Sequence, residues 1–114
     1  MLHTFIIKRS GKLKYILKRG EYYNKKNLVV HYLHNNKKNN FFAVCVSKKN
    51  GNSVERNKLK RWAREIYKME ESQLKTGCDI IILYKKTTKF YDLNFTTVKN
   101  EIIDCFERLN LYEK

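Results

Sequence analysis

Between Lys48 and Arg64 the chain sets seven cations (Lys48, Lys49, Arg56, Lys58, Lys60, Arg61 and Arg64) against one anion, Glu55, so seventeen residues carry +6 of a net +14. Such side chains donate hydrogen bonds and accept none, and the guanidinium fork matches two phosphate oxygens at once. The chemistry on offer is phosphate binding. Scattered lysine usually marks a solvated surface, and the 19 lysines are spread from end to end. Arginine is not: three of the six, Arg56, Arg61 and Arg64, fall within nine residues. Repulsion disfavours that crowding unless an anionic partner offsets it, so the spacing points to a nucleic-acid surface.

Bond-breaking chemistry has no comparable cluster. A protein nuclease needs a general acid and base, or carboxylates grouped around a metal. His3, His31 and His34 lack such spacing, and the eleven acids stand singly apart from Glu70 and Glu71, which read as helix surface. The four glycines are isolated, so no glycine-rich loop cradles a phosphate. His31 reads as a partly buried strand residue. Cys45, Cys78 and Cys105 each lie in an apolar run without metal-ligand spacing, as core residues of a reducing compartment would.

The cations need a scaffold. Asn52 followed three residues later by Glu55 is a capping-box helix start. Beyond it Leu59, Trp62, Ala63, Ile66 and Met69 share one helical stripe, while Asn57, Lys60, Arg61, Arg64 and Lys68 share the opposite one. One face is core and the other is cation. Upstream, Ser10 is expected to cap a short helix carrying Leu13, Ile16 and Leu17, with Gly20 at its end. Residues 27–33 alternate as a strand, with Leu28, Val30 and Tyr32 on one side and Val29, His31 and Leu33 on the other. Residues 41–46 form a second strand, and the polar turn between the two predicts a hairpin.

Downstream, Thr76-Gly77 breaks the pattern, and the apolar run 78–84 reads as a strand covered on both faces. A basic loop covers 85–91. Asp92 or Asn94 can then cap a last helix that bears Phe95, Val98, Ile102, Cys105, Phe106 and Leu109 at helical spacing. The order helix, strand, strand, helix, strand, helix predicts an α+β fold, a small two-layer sandwich with helices packed on a sheet. At 114 residues, with 42% hydrophobic and 13% aromatic content, it should be one folded domain over 1–114. A pI near 9.8 calls for a polyanionic partner, either nucleic acid or an anionic membrane. No apolar run is long enough to span a membrane, and residues 1–9 lack a signal-peptide core, so a cytoplasmic location is expected.

The run Ser47-Lys48-Lys49-Asn50-Gly51-Asn52-Ser53-Val54, with Arg56-Asn57-Lys58-Leu59-Lys60-Arg61 and Arg64 after it, resembles the signature of the bacterial ribonuclease P protein subunit. That family has a Ser-Lys-Lys-x-Gly-Asn-Ala-Val run followed by an Arg-Asn-Arg helix. The resemblance extends, more loosely, over most of the chain. It implies a ribosomal-protein-like fold with an unusual left-handed βαβ crossover through the long helix, against a general right-handed preference of about 98%. It also implies an endoribonuclease that works as a ribonucleoprotein. Hydrolysis of the precursor-tRNA backbone belongs there to an RNA subunit with bound Mg2+, and the protein assists removal of the 5′ leader that gives the mature 5′ end.

By the same resemblance the partners are ribonuclease P RNA and precursor tRNA, with no membrane and no small-molecule substrate. Lys48, Lys49, Asn52, Arg56, Asn57, Lys58, Lys60, Arg61, Arg64 and Lys68 would contact the catalytic RNA. The chain itself would supply no catalytic residue and no metal ligand. A cleft between the first helix and the sheet, with Leu13, Leu17, Val29 and His31, would hold the single-stranded leader. The family usually has aromatic residues where this chain has Leu13 and Leu17, a Tyr where it has His31, and Arg where it has Lys58. Stacking on aromatic rings is worth about 1–3 kcal/mol per base, so the leader would rely here on backbone charge, van der Waals contact or another ring such as Tyr15.

Three rival classes fit less well. A ribosomal or RNA-chaperone protein would share charge, size and fold type but not a preference for the catalytic RNA. A helix-turn-helix DNA reader needs a helix before the long one, and here a strand precedes it. A membrane-surface helix would need Leu59, Trp62 and Ile66, which the core claims.

Overall fold

The computed structural model describes residues 1, 2 and 4–113, so His3 lies outside the described residues. Five strands and three helices follow one another as β1 (Thr4–Ile6), α1 (Ser10–Arg19), β2 (Glu21–Asn24), β3 (Leu28–His34), β4 (Asn40–Cys45), α2 (Ser53–Glu70), β5 (Cys78–Tyr84) and α3 (Phe95–Arg108). The strands make one mixed sheet in the order β1-β4-β5-β3-β2. β5 runs parallel to β4 and antiparallel to β3, β1 is parallel to β4, and β2 is antiparallel to β3.

The expected hairpin of β3 with β4 does not form, because β5 lies between them and pairs with both. β5 is apolar along nearly its whole length, and all but Leu83 of its seven residues are buried. A strand covered on both faces is most stable at the centre of a sheet. The connection 35–39 has only to cross two strand spacings, roughly 10 Å, to step over it.

α2 and α3 cover one face of the sheet and form the sandwich with it. Leu59, Ala63, Ile66 and Tyr67 of α2 meet Val98, Ile102, Cys105 and Phe106 of α3 over Leu28, Val30, Phe42, Ile80 and Ile82. Tyr67 stacks on Phe42 with ring centroids 4.3 Å apart, and the buried Tyr84 hydroxyl donates to the Leu59 carbonyl at 2.8 Å. The opposite face is covered by α1, whose Ile16 packs with Ile7, Ala43 and Ile81.

The core stripe of α2 is turned relative to the expected one. Tyr67 is fully buried, Met69 is 49% exposed, and Trp62 sits half-buried at the edge, stacked on Phe90 at 5.5 Å. Trp62 therefore buttresses the loop before α3 instead of filling the centre. α1 begins one residue earlier in phase than expected, with Arg9 at the N-cap position and Ser10 as its first helical residue. Gly20 ends α1 in an extended conformation, and its glycine is required by crowding: a Cβ there would lie 2.5 Å from the Tyr32 carbonyl oxygen.

Candidate nucleic-acid interface

The cation-bearing segment opens on a 3-10 turn, Lys48–Asn50, held from below by Asn50. That side chain is 1% exposed; its Oδ1 accepts from the Ser47 N–H, and its Nδ2 donates to the carbonyls of Lys85 and Thr88, each at 2.8 Å. With both ends of its amide in use, Asn50 ties the lysine turn to the 85–88 loop and leaves Lys48 and Lys49 exposed. Lys89 adds a second tie by donating from Nζ to the Lys49 carbonyl at 2.8 Å.

The expected capping box then starts α2. Asn52 Oδ1 accepts from the Glu55 N–H at 2.8 Å, and Glu55 Oε1 accepts from the Asn52 N–H at 2.9 Å. Gly51 is the residue that lets the two approach, since a Cβ there would sit 2.7 Å from Glu55 Oε1. The box consumes the one carboxylate within this stretch of cations, so Glu55 caps the helix instead of screening the lysines. The positive end of the α2 dipole adds to the same field.

Along α2 the side chains of Asn57, Lys58, Arg61, Arg64 and Lys68 are exposed, while Arg56 and Lys60 are half-buried. Val54, Asn57, Lys58 and Arg61 line a shallow cleft of about 530 Å3. Arg64 and Lys68 line a second with Thr4 and Ile6 of β1. Arg61 is lightly engaged, with Nε 3.9 Å from Glu65 Oε1, an exposed pair of the kind worth little in water. The ten expected contact residues thus share one segment, and from Asn57 onward all but the half-buried Lys60 are exposed on one helix.

The acid pair at the end of α2 is not free surface. Glu71 is 4% exposed, and its carboxylate accepts from the Leu2 N–H at 2.7 Å and from the Thr4 hydroxyl, while Glu70 accepts from the Tyr112 hydroxyl at 2.8 Å. These acids tie the N-terminal strand and the C-terminal end to α2. Among the described residues no group of three or more His, Cys, Asp or Glu side chains could hold a metal ion.

The second expected site lies on the α1 side of the sheet. Leu13 and Leu17 pack at the edge of the Ile16 cluster. His31 pairs in register with Ile81 of that cluster, and Val29 pairs with Leu83, so both point to the face that α1 covers. Val29 is buried; His31 is half-buried, its Nδ1 has no hydrogen-bond partner among the described residues, and burial lowers its pKa below the ordinary 6.5. The sequence reading misses one neighbour. Tyr22 of β2 is the register partner of His31; its ring lies 5.5 Å from the imidazole and is 59% exposed. A four-residue edge strand gives almost no periodic signal. An aromatic ring from β2 therefore stands beside His31 on the face that α1 covers.

The model of the ribonuclease P family matches residues 1–110. The chain belongs to the ribonuclease P protein family. A ribonuclease P protein component of Thermoanaerobacter sp. (strain X514) is 32% identical over 106 residues, covering 93% of this chain and 90% of its own. The fold agrees. An RNase P protein of Staphylococcus aureus superposes with a TM-score of 0.77 at 28% identity, covering 95% of this chain and 97% of its own. One from Thermotoga maritima gives 0.77 at 26% identity, with 88% and 93% covered. A match of this extent favours ribonuclease P over the ribosomal or RNA-chaperone alternative.

Proposed function

We propose that the chain is the protein subunit of ribonuclease P, binding the catalytic RNA along Lys48 to Lys68 and the 5′ leader of precursor tRNA in the α1 cleft. The observation that carries the first half is the Asn50-braced lysine turn running into the exposed Arg61 and Arg64 side of α2. Bracing the backbone of the turn removes the cost of ordering that loop when phosphates dock, and phosphate contacts position RNA without reading its sequence. Lys58 contributes charge without the planar fork that Arg would bring.

The interface does not fit Mg2+ as its own ligand set. Its carboxylates, Glu55 and Glu65, stand singly among cations, and Glu55 is spent on the capping box. In this reading Mg2+ is held mainly by the RNA, hydrolysis belongs to the RNA, and the chain acts in the cytoplasm by positioning. For the leader, Leu13, Leu17 and Val29 offer apolar contact, and Tyr22 beside His31 offers the stacking surface.

The test compares precursor and mature tRNA on holoenzyme reconstituted with the RNA subunit. The precursor should bind more tightly, Tyr22→Leu should shrink that difference, and Leu13→Phe should widen it, by up to about 1–3 kcal/mol for each base stacked or unstacked. Equal affinity for both RNAs in every variant would remove the leader site.

A further inference from the structure

At the edge of the sheet opposite β2, Phe5 of β1 and Phe41 of β4 are register partners with ring centroids 5.7 Å apart, tilted by 35°. Lys12 Nζ stands 3.5 Å from the Phe41 ring centre and Lys37 Nζ 5.1 Å from it. Lys8 and Arg9 complete a cleft of about 340 Å3 beside that ring. The nearby acid, Asp79, is buried; it accepts from Asn35 Nδ2 at 2.9 Å and lies 3.7 Å from Lys12, so it offsets at most one of four cations. Phe5 is 56% exposed and belongs to neither core cluster, so its ring rests on Phe41 along one side and is otherwise largely open.

We propose that this corner is a separate binding site for single-stranded RNA, with an unpaired base stacked on Phe5 and its flanking phosphates held by Lys8, Arg9, Lys12 and Lys37. An open ring, Phe5, beside a cation-lined cleft at its neighbour Phe41 is the combination of stacking surface and backbone charge that binds unpaired nucleotides whatever their sequence. A duplex would not fit, because its bases are already stacked on one another. An acidic peptide would use the cations and leave the ring idle. The site shares no residue with the α2 face or with the Leu13, Leu17, Val29 and His31 cleft, and it rests on the reading that this chain works on RNA.

The experiment titrates the full-length protein with a labelled oligouridylate and with the same RNA annealed into a duplex. Phe5→Leu, which keeps an apolar side chain on β1, should weaken oligouridylate binding about five- to tenfold. It should leave duplex binding and the melting temperature unchanged. Phe5→Trp should bind at least as tightly as wild type, and Lys12→Met should weaken both Phe5 forms alike. Wild-type affinity in Phe5→Leu, together with weakened binding in Arg61→Ala, would overturn this site and leave the RNA-binding reading standing. If the wild-type protein bound neither oligouridylate nor ribonuclease P RNA, both would fall.

Discussion

At the scale of the residue, α2 separates exposed cations from groups that pack. Arg61 and Arg64 are exposed and Tyr67 is fully buried between Phe42 and Phe106. Arg61→Ala and Arg64→Ala should therefore change stability by no more than about 0.5 kcal/mol. Each should weaken binding of ribonuclease P RNA and lower the slope of log affinity against log salt by about 0.7–0.9 if one phosphate contact is lost. Tyr67→Ala should do the reverse, costing about 3–5 kcal/mol, with Trp62→Ala nearer 2 kcal/mol because its ring is only half-buried. Thermal melts run beside salt titrations decide the assignment. His31 gives a pH test. Burial lowers its pKa below 6.5, so in the window from its folded value up to about 6.5 the unfolded chain binds more protons than the folded one. Stability should fall as pH drops through that window, and His31→Gln should flatten the fall. The same shift means that this imidazole charges at lower pH than a free, exposed one, so on the proposed function any gain in leader affinity from its cationic form is displaced to lower pH.

Among the elements, the lysine turn depends on a side chain that carries no charge. Asn50→Ala would leave the Ser47 N–H and the carbonyls of Lys85 and Thr88 without their partner, at about 1–3 kcal/mol of stability for the buried groups. It should also weaken RNA binding by freeing Lys48 and Lys49, more than Lys48→Ala alone does. Affinity measured at a temperature where both variants are folded checks this. The elements with strong periodicity were legible from the chain: the Asn52 to Glu55 box, the α3 stripe and the alternation of β3 all stand as read. What the sequence hid was non-local. β1 and β2, at three and four residues, are too short to show a period. The place of β5 between β3 and β4 follows from burial on both faces, a property of the assembled sheet. Tyr22 comes to stand beside His31, and Phe5 at the opposite edge of the sheet, only through those short strands. The roles of Asn50 and Glu71 lie in partners 35 to 69 residues away, which spacing cannot reveal.

For the whole molecule, the net charge of +14 sits on a fold whose apolar residues are committed to two clusters on either face of one sheet. Self-repulsion makes that surface costly to a free protein and useful to one that spends its time on a polyanion. On the proposed function this protein positions RNA and the RNA does the chemistry. The most direct measurement incubates precursor tRNA with the purified protein, with the cognate ribonuclease P RNA, and with both, at low and high magnesium. The protein alone should leave the precursor intact, and at low magnesium the mixture should release the 5′ leader much faster than the RNA alone. Cleavage at the mature 5′ end by RNA-free protein, persisting through further purification, would contradict the account.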